Sequence, residues 1–101
     1  MHRGLYELFY SAALAVELEL RGIPFEKDRP IRLHYKGRAL EGIYKLDFVC
    51  FESVVVEVKA VSALTPADEA QLLNYLAMTN LGRGLLINFG TKSLEYKRRV
   101  L

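Results

Sequence analysis

The chain has no tryptophan, three prolines, two histidines and a single cysteine among its 101 residues. The lone cysteine, Cys50, excludes a disulfide within the chain and a zinc site built from thiolates, and reads as a small buried hydrophobe suited to a reducing compartment. His2 and His34 form no metal-ligand spacing and read as surface residues. An excess of charge is lacking as well: with 14 basic and 12 acidic residues, a net +2 is too small to argue for or against a nucleic-acid partner. No window approaches the roughly 18 uncharged apolar residues that a membrane span needs. The opening, MHRGLYELFY, lacks the clean apolar stretch and small-residue cleavage site of a secretory leader. Internal repeats, low-complexity tracts and dividing linkers are absent too, as are a Gly-rich phosphate loop, a Ser-His-Asp set and a dinucleotide fingerprint. What these absences leave is one cytoplasmic domain, residues 1–101, that engages no membrane. At this length the core is adequate but small, and support from a second copy in a homodimer is compatible with it.

What is present is periodicity. From about Leu5 to Arg21, Leu5, Phe9, Ala12, Ala13, Val16 and Leu20 recur at spacings of three and four, the pattern of a helix with those residues inward. Gly22 is placed to cap it and Pro24 to stop it. The segment PIRLHYKGRAL suggests a strand with Ile31, Leu33 and Tyr35 on one face and a turn at Lys36-Gly37. A return strand through EGIYKLDFVCF follows, with Gly42 and Ile43 breaking its alternation, and a turn near 51–53 leads into VVVEVKAV. Thr65, Pro66, Asp68 and Glu69 then carry helix-start signals. Leu72, Leu73, Leu76 and Met78 supply the second helix with apolar contacts, and Gly82 closes it. GLLINFG reads as a short buried strand, parallel to an earlier one through the helical crossover. The tail SLEYKRRVL fits a short helix or an edge strand equally well. The predicted order is α-β-β-β-α-β, an α/β protein with a mixed sheet flanked by helices.

One run in this pattern is chemically odd. Val54-Val55-Val56-Glu57-Val58-Lys59-Ala60 has the apolar, β-branched make-up of a buried strand, yet Glu57 and Lys59, two apart, share one face. Buried charge is costly unless paired or bound to metal. If the preceding hairpin is centred on Glu52, Asp47 lies directly opposite Glu57 on that face; a turn one residue shorter would lose the alignment. Facing carboxylates repel by roughly 0.2 to 1 kcal/mol before desolvation. Lys59 offsets part of this, and a divalent cation, which takes such hard oxygen ligands, would offset more. Polar pairs also interrupt both helices: Glu7 with Tyr10, and Gln71 with Tyr75, each on one side of its helix and able to overhang that face. By residue type alone, an ion-pair cluster for the trio and core positions for Tyr10 and Tyr75 stay open beside the functional reading.

DFVCFESVVVEVKA resembles the D…(D/E)-x-K core of the PD-(D/E)XK nuclease superfamily, and AQLLNY is similar to the Q-x-x-x-Y element of its exonuclease-like branch. GLYELFY reads as G-x-x-E-x-x-Y. With EAQLLNYL and GLLINFG it resembles the small GxxExxY proteins of that superfamily, over about Gly4 to Leu101, with the first helical region shortened. The resemblance implies a restriction-endonuclease-like fold and metal-dependent phosphodiester cleavage, of DNA ahead of RNA. Asp47 and Glu57, with Glu7 directly or through water, would hold Mg²⁺ or Mn²⁺. Lys59 would be the catalytic lysine, and Gln71, with Tyr75 and Tyr10, would support the site or contact the nucleic acid. The rival reading is a catalytically silent binding or assembly module on the same fold.

Overall fold

The computed structural model describes residues 4–42 and 44–101; Ile43 of the expected return strand and His2 lie outside them. Helix α1 (Leu5–Leu20) leads into β1 (Phe25–Ile31), β2 (His34–Tyr35), β3 (Arg38–Ala39), β4 (Tyr44–Cys50) and β5 (Val54–Lys59). Then come α2 (Pro66–Thr79), β6 (Arg83–Asn88) and β7 (Glu95–Val100). The five long strands form one mixed sheet in the order β1-β4-β5-β6-β7, antiparallel except where β6 returns parallel to β5 through α2. One helix covers each face. On the α1 side, Tyr10, Leu14, Ala15 and Leu18 pack on Phe48, Cys50, Val56 and Val58. On the α2 side, Leu72 and Leu76 pack on Leu46, Val49, Val55 and Leu86.

Local chemistry explains where these elements stop. The Gly22 amide donates to Glu19 O and the Ile23 amide to Leu18 O, closing α1 in a Schellman motif with Gly22 at φ 66°, as its position in sequence suggested. Thr65 and Asp68 form a reciprocal capping box at the start of α2, with Pro66 inside the first turn. The far end of α2 is capped by Asn80 in the left-handed region, φ 61°, two residues before the glycine expected to close it. Leu72 and Leu76 are buried as expected, whereas Met78 points to solvent. The tail is an edge strand.

Two expectations change. The first strand begins at Phe25, not near Ile31; its charged stretch Glu26–Arg29 suits an edge strand whose Phe25 and Ile31 reach the two cores. The turn at Lys36-Gly37 does form, with both residues at positive φ, but it closes only a two-residue-a-side hairpin standing off the main sheet. The second change concerns α1. The stripe Leu5, Phe9, Ala12, Ala13, Val16 and Leu20 faces away from the sheet, and the opposite side carries Tyr10, buried Ser11, Leu14 and Leu18 inward. LYELFYSAALAVELEL is apolar almost all round, so periodicity defines two stripes and cannot choose between them.

Candidate active site

The β4–β5 hairpin sets the site. Its strands pair Cys50 with Val54, Val49 with Val55 and Phe48 with Val56. Continued one step, that register sets Asp47 opposite Glu57, as a loop centred on Glu52 requires. The regular ladder ends there. The Val58 amide donates to Asp47 Oδ2 at 2.7 Å, and the Asp47 amide donates to Glu57 Oε1 at 3.2 Å. Side-chain carboxyls therefore take up amide donors at the step where β4 and β5 part. The distortion extends to the other neighbour: β1 pairs through Lys27–Phe48 and Arg29–Leu46, and the intervening Asp28 sits at φ 55°. Leu46 then joins the α2-side core, out of step with Phe48 and Cys50.

Both carboxyls are buried, Asp47 at 6% exposure and Glu57 at 8%. Burial first, and then the neighbouring Asp47 charge and the hydrogen bond between the two side chains, push Glu57 up to about 9; the Asp47 amide and Lys59 oppose this only in part. In the absence of a cation the pair thus holds a proton at neutral pH. Lys59 follows on the same face, its ammonium 3.9 Å from Asp68 Oδ1 in the first turn of α2. On α2, Gln71 Nε2 donates to the Tyr75 hydroxyl at 3.1 Å. Burial, followed by the negative charges of Glu57 and Asp47, raises the Tyr75 phenol, which puts the Gln71–Tyr75 pair within electrostatic reach of the carboxyls.

Glu7 and Tyr10 arrive from the other face. Tyr10 packs in the α1-side core and stacks on Phe89, ring centroids 4.9 Å apart, and the Phe89 amide donates to Lys59 O at 2.9 Å. Glu7 lies one turn before Tyr10, in line with the inward residues Ser11, Leu14 and Leu18. The start of α1 thereby comes to the end of the sheet that holds Lys59. Among the described residues, no three His, Cys, Asp or Glu side chains gather into a metal-binding set. The acids brought together are the pair Asp47 and Glu57, with Glu7 outside it.

That pair can accept a divalent cation: hard oxygen donors, adjacent, buried, and carrying a proton that a cation could replace. Two residues important here were not singled out in the sequence. In the sequence Asp68 carries only the signal of a helix-start acid, yet it caps α2 and holds Lys59. Asn88 is fully buried and bonds to both the amide and the carbonyl of Val61, to the Gly90 amide and to Glu95, pinning the loop after Lys59 to the end of β6. A polar residue inside GLLINFG was its only signal.

An α/β fold whose central antiparallel hairpin carries an aspartate opposite a Glu-x-Lys, with a helix on each face, defines a restriction-endonuclease-like protein. A family model described as the PD-(D/E)XK nuclease superfamily matches residues 1–100, and the chain belongs to that superfamily. No curated protein matches it. Among solved structures, one titled "Crystal structure of SSO0001" is similar, with a TM-score of 0.72 at 16% identity over 94% of this chain, a likeness of fold. This chain spans about half of that one, 50% of its length. No described helix is long and apolar enough to cross a membrane.

Proposed function

We propose that this chain is a divalent-metal-dependent nuclease of the GxxExxY kind that hydrolyses phosphodiester bonds, in DNA ahead of RNA. The observation that carries the reading is the buried Asp47–Glu57 pair at the step where β4 and β5 part, with Lys59 two residues on. Asp47 and Glu57 would hold Mg²⁺ or Mn²⁺, with Glu7 reaching them directly or through water from the start of α1. When bound, the cation supplies charge neutralisation and an acidified water. Asp47 is held ready by the Val58 amide, which donates to one carboxylate oxygen at 2.7 Å and so orients the side chain beside Glu57. Lys59 exchanges its long contact with Asp68 for the scissile phosphate, where its ammonium orients the attacking water and offsets developing negative charge. Gln71 fixes Tyr75 by donating to its oxygen, so the phenolic proton is free to be given to the acidic pair or to a phosphate oxygen. Tyr10, stacked on Phe89, holds the start of α1, and Glu7 with it, at that end of the sheet.

The grip on substrate comes from the β2–β3 hairpin. It precedes β4 directly, and exposed Arg32, Lys36, Arg38 and Lys45 place four cations around it, just before the strand that delivers Asp47. The basic tail Lys97–Arg99 contributes less, because Arg99 is already paired with Glu69 on α2. The test is cleavage of single-stranded, duplex and branched DNA and RNA in Mn²⁺ by the unaltered protein and by Lys59→Ala. Cutting that EDTA stops and Lys59→Ala lowers by at least about a hundredfold supports the reading. Two folded proteins that both fail to cut would favour the silent module.

A further inference from the structure

The outward stripe of α1 is an apolar face that no described residue covers. Leu5 is 79% exposed, Phe9 63%, Val16 56% and Leu20 77%, with Ala12 and Ala13 exposed between them. Tyr6 and Leu8 flank it, also exposed. A solvated face would not carry six large apolar side chains in one patch.

We infer that this face is the interface of a symmetric dimer, its occupant a second copy of the same helix running antiparallel. The first argument is the order of residues. A two-fold axis between Ala12 and Ala13 sets Leu5 against Leu20, Phe9 against Val16 and Ala12 against Ala13, and then repeats each pair from the other side. The stripe is therefore its own complement: small residues where the helices cross, large ones at both ends, as close helix packing demands. The second argument is area. With side chains of roughly 200 Å² each, the exposed fractions of Leu5, Tyr6, Leu8, Phe9, Val16 and Leu20 amount to about 800 Å², which is what one partner contributes to a standard interface. The third is charge. The last turn of α1 has no basic residue and carries Glu17 and Glu19, acids at the end where the helix's own dipole disfavours them; Arg21 at the cap offsets Glu17 through a 2.7 Å ion pair. In the antiparallel pair they lie beside the positive N-terminal turn of the partner helix. About this axis Glu17 falls on the same flank of the seam as Tyr6 of the second copy, whose hydroxyl is a donor, and Glu19 on the flank of its Leu8.

This dimer leaves the sheet's α2 side, with Asp47, Glu57 and Lys59, uninvolved; α1 also carries Glu7 and Tyr10 on its other side, so the test reads mass and not cleavage, and either proposal can fail without the other. The test is solution mass by light scattering and sedimentation at about 1 to 100 µM, with Phe9→Glu and Val16→Lys made separately. The unaltered chain is expected at twice its 11.5 kDa, and each variant at 11.5 kDa with an unchanged circular dichroism spectrum. Mixed one to one, the two variants should pair again, because Glu at 9 meets Lys at 16 across one side of the axis while Val16 and Phe9 meet across the other. The mixed dimer should dissociate at least about tenfold less readily than either variant alone. A monomeric unaltered chain at 100 µM overturns the inference, as does a dimer indifferent to both substitutions. Variants that stay apart on mixing refute the proposed register, and with it the symmetric pairing.

Discussion

Replacing Glu57 with Gln should stabilise the protein, and by an amount that depends on pH. In the unfolded chain Glu57 titrates near its ordinary 4.5, whereas in the fold it is pushed up to about 9 by burial and by Asp47. A raised value gives stability that is fully present below 4.5 and is lost as pH rises through 9. At pH 7 the unfolded chain leaves the carboxyl ionised while the folded chain keeps its proton. Protonating such a group 2.5 pH units above 4.5 costs about 3 kcal/mol, at roughly 1.4 kcal/mol per unit. Gln has nearly the same shape and no proton to take up. It still accepts from the Asp47 amide through its carbonyl oxygen and donates to the Asp47 carboxylate through its nitrogen. Its second N–H goes unpaired in a buried place, which returns about 1 kcal/mol or more. The net gain expected for Glu57→Gln is therefore about 1 to 2 kcal/mol at pH 7, larger by about 1.4 kcal/mol at pH 8, and nearly nothing at pH 5.

Urea or thermal unfolding in EDTA between pH 5 and 9 reads this directly, since a gain of 1 kcal/mol moves the midpoint of so small a domain by about 4 to 8 °C. Below pH 5 both proteins should lose stability together. Glu95, held below its ordinary value by Asn88 and the Leu64 amide, supports the fold only while ionised, and that support fades as pH falls. Saturating Mn²⁺ should reverse the ranking at pH 8, raising the unaltered protein's midpoint far more than the variant's, because only the former offers two carboxylates. A variant no more stable than the unaltered protein at pH 8, or one whose advantage is equal at pH 5 and pH 8, would refute the reasoning.

Asn88→Ala removes a side chain that satisfies both polar groups of Val61 and anchors Glu95, and it should cost about 2 to 4 kcal/mol in urea unfolding. Ser11→Ala should do the opposite: Ser11 Oγ is buried on the sheet-facing side of α1 with no hydrogen-bond partner among the described residues, and its removal should add about 1 kcal/mol by the same measurement. Changing Arg32, Lys36, Arg38 and Lys45 together to Ser should weaken duplex DNA binding, measured by fluorescence anisotropy. It should also flatten the logarithmic dependence of affinity on salt by up to about 0.9 for each phosphate that the variant no longer neutralises.

The two carboxyls could be paired from the sequence because the side-chain period of a strand is two and the hairpin's centre could be guessed. That pairing depends on one loop residue. Ser53 donates to Cys50 O, and Phe51 and Glu52 both stand at positive φ, a conformation that favours Asn-Gly and that neither residue announces. With no turn signal, only the chemical oddity of Glu57 and Lys59 inside Val54–Lys59 pointed to the right register. Helix α1 shows the converse. Its C-terminal end was legible because Gly22 and Pro24 are local instructions, but its orientation was not, since choosing a face needs to know what else is apolar nearby. The stripe with the cleaner periodicity turned outward. The inward stripe admits Glu7 and Ser11, two polar groups that a core-facing pattern would reject, and it is the side that brings Glu7 toward the end of the sheet holding Lys59. A helix built only to cover a sheet would have buried Leu5, Phe9, Val16 and Leu20. That this one turns a carboxylate inward and six large apolar groups outward is the pattern expected of a helix with two obligations, one to the acidic site and one to a partner surface.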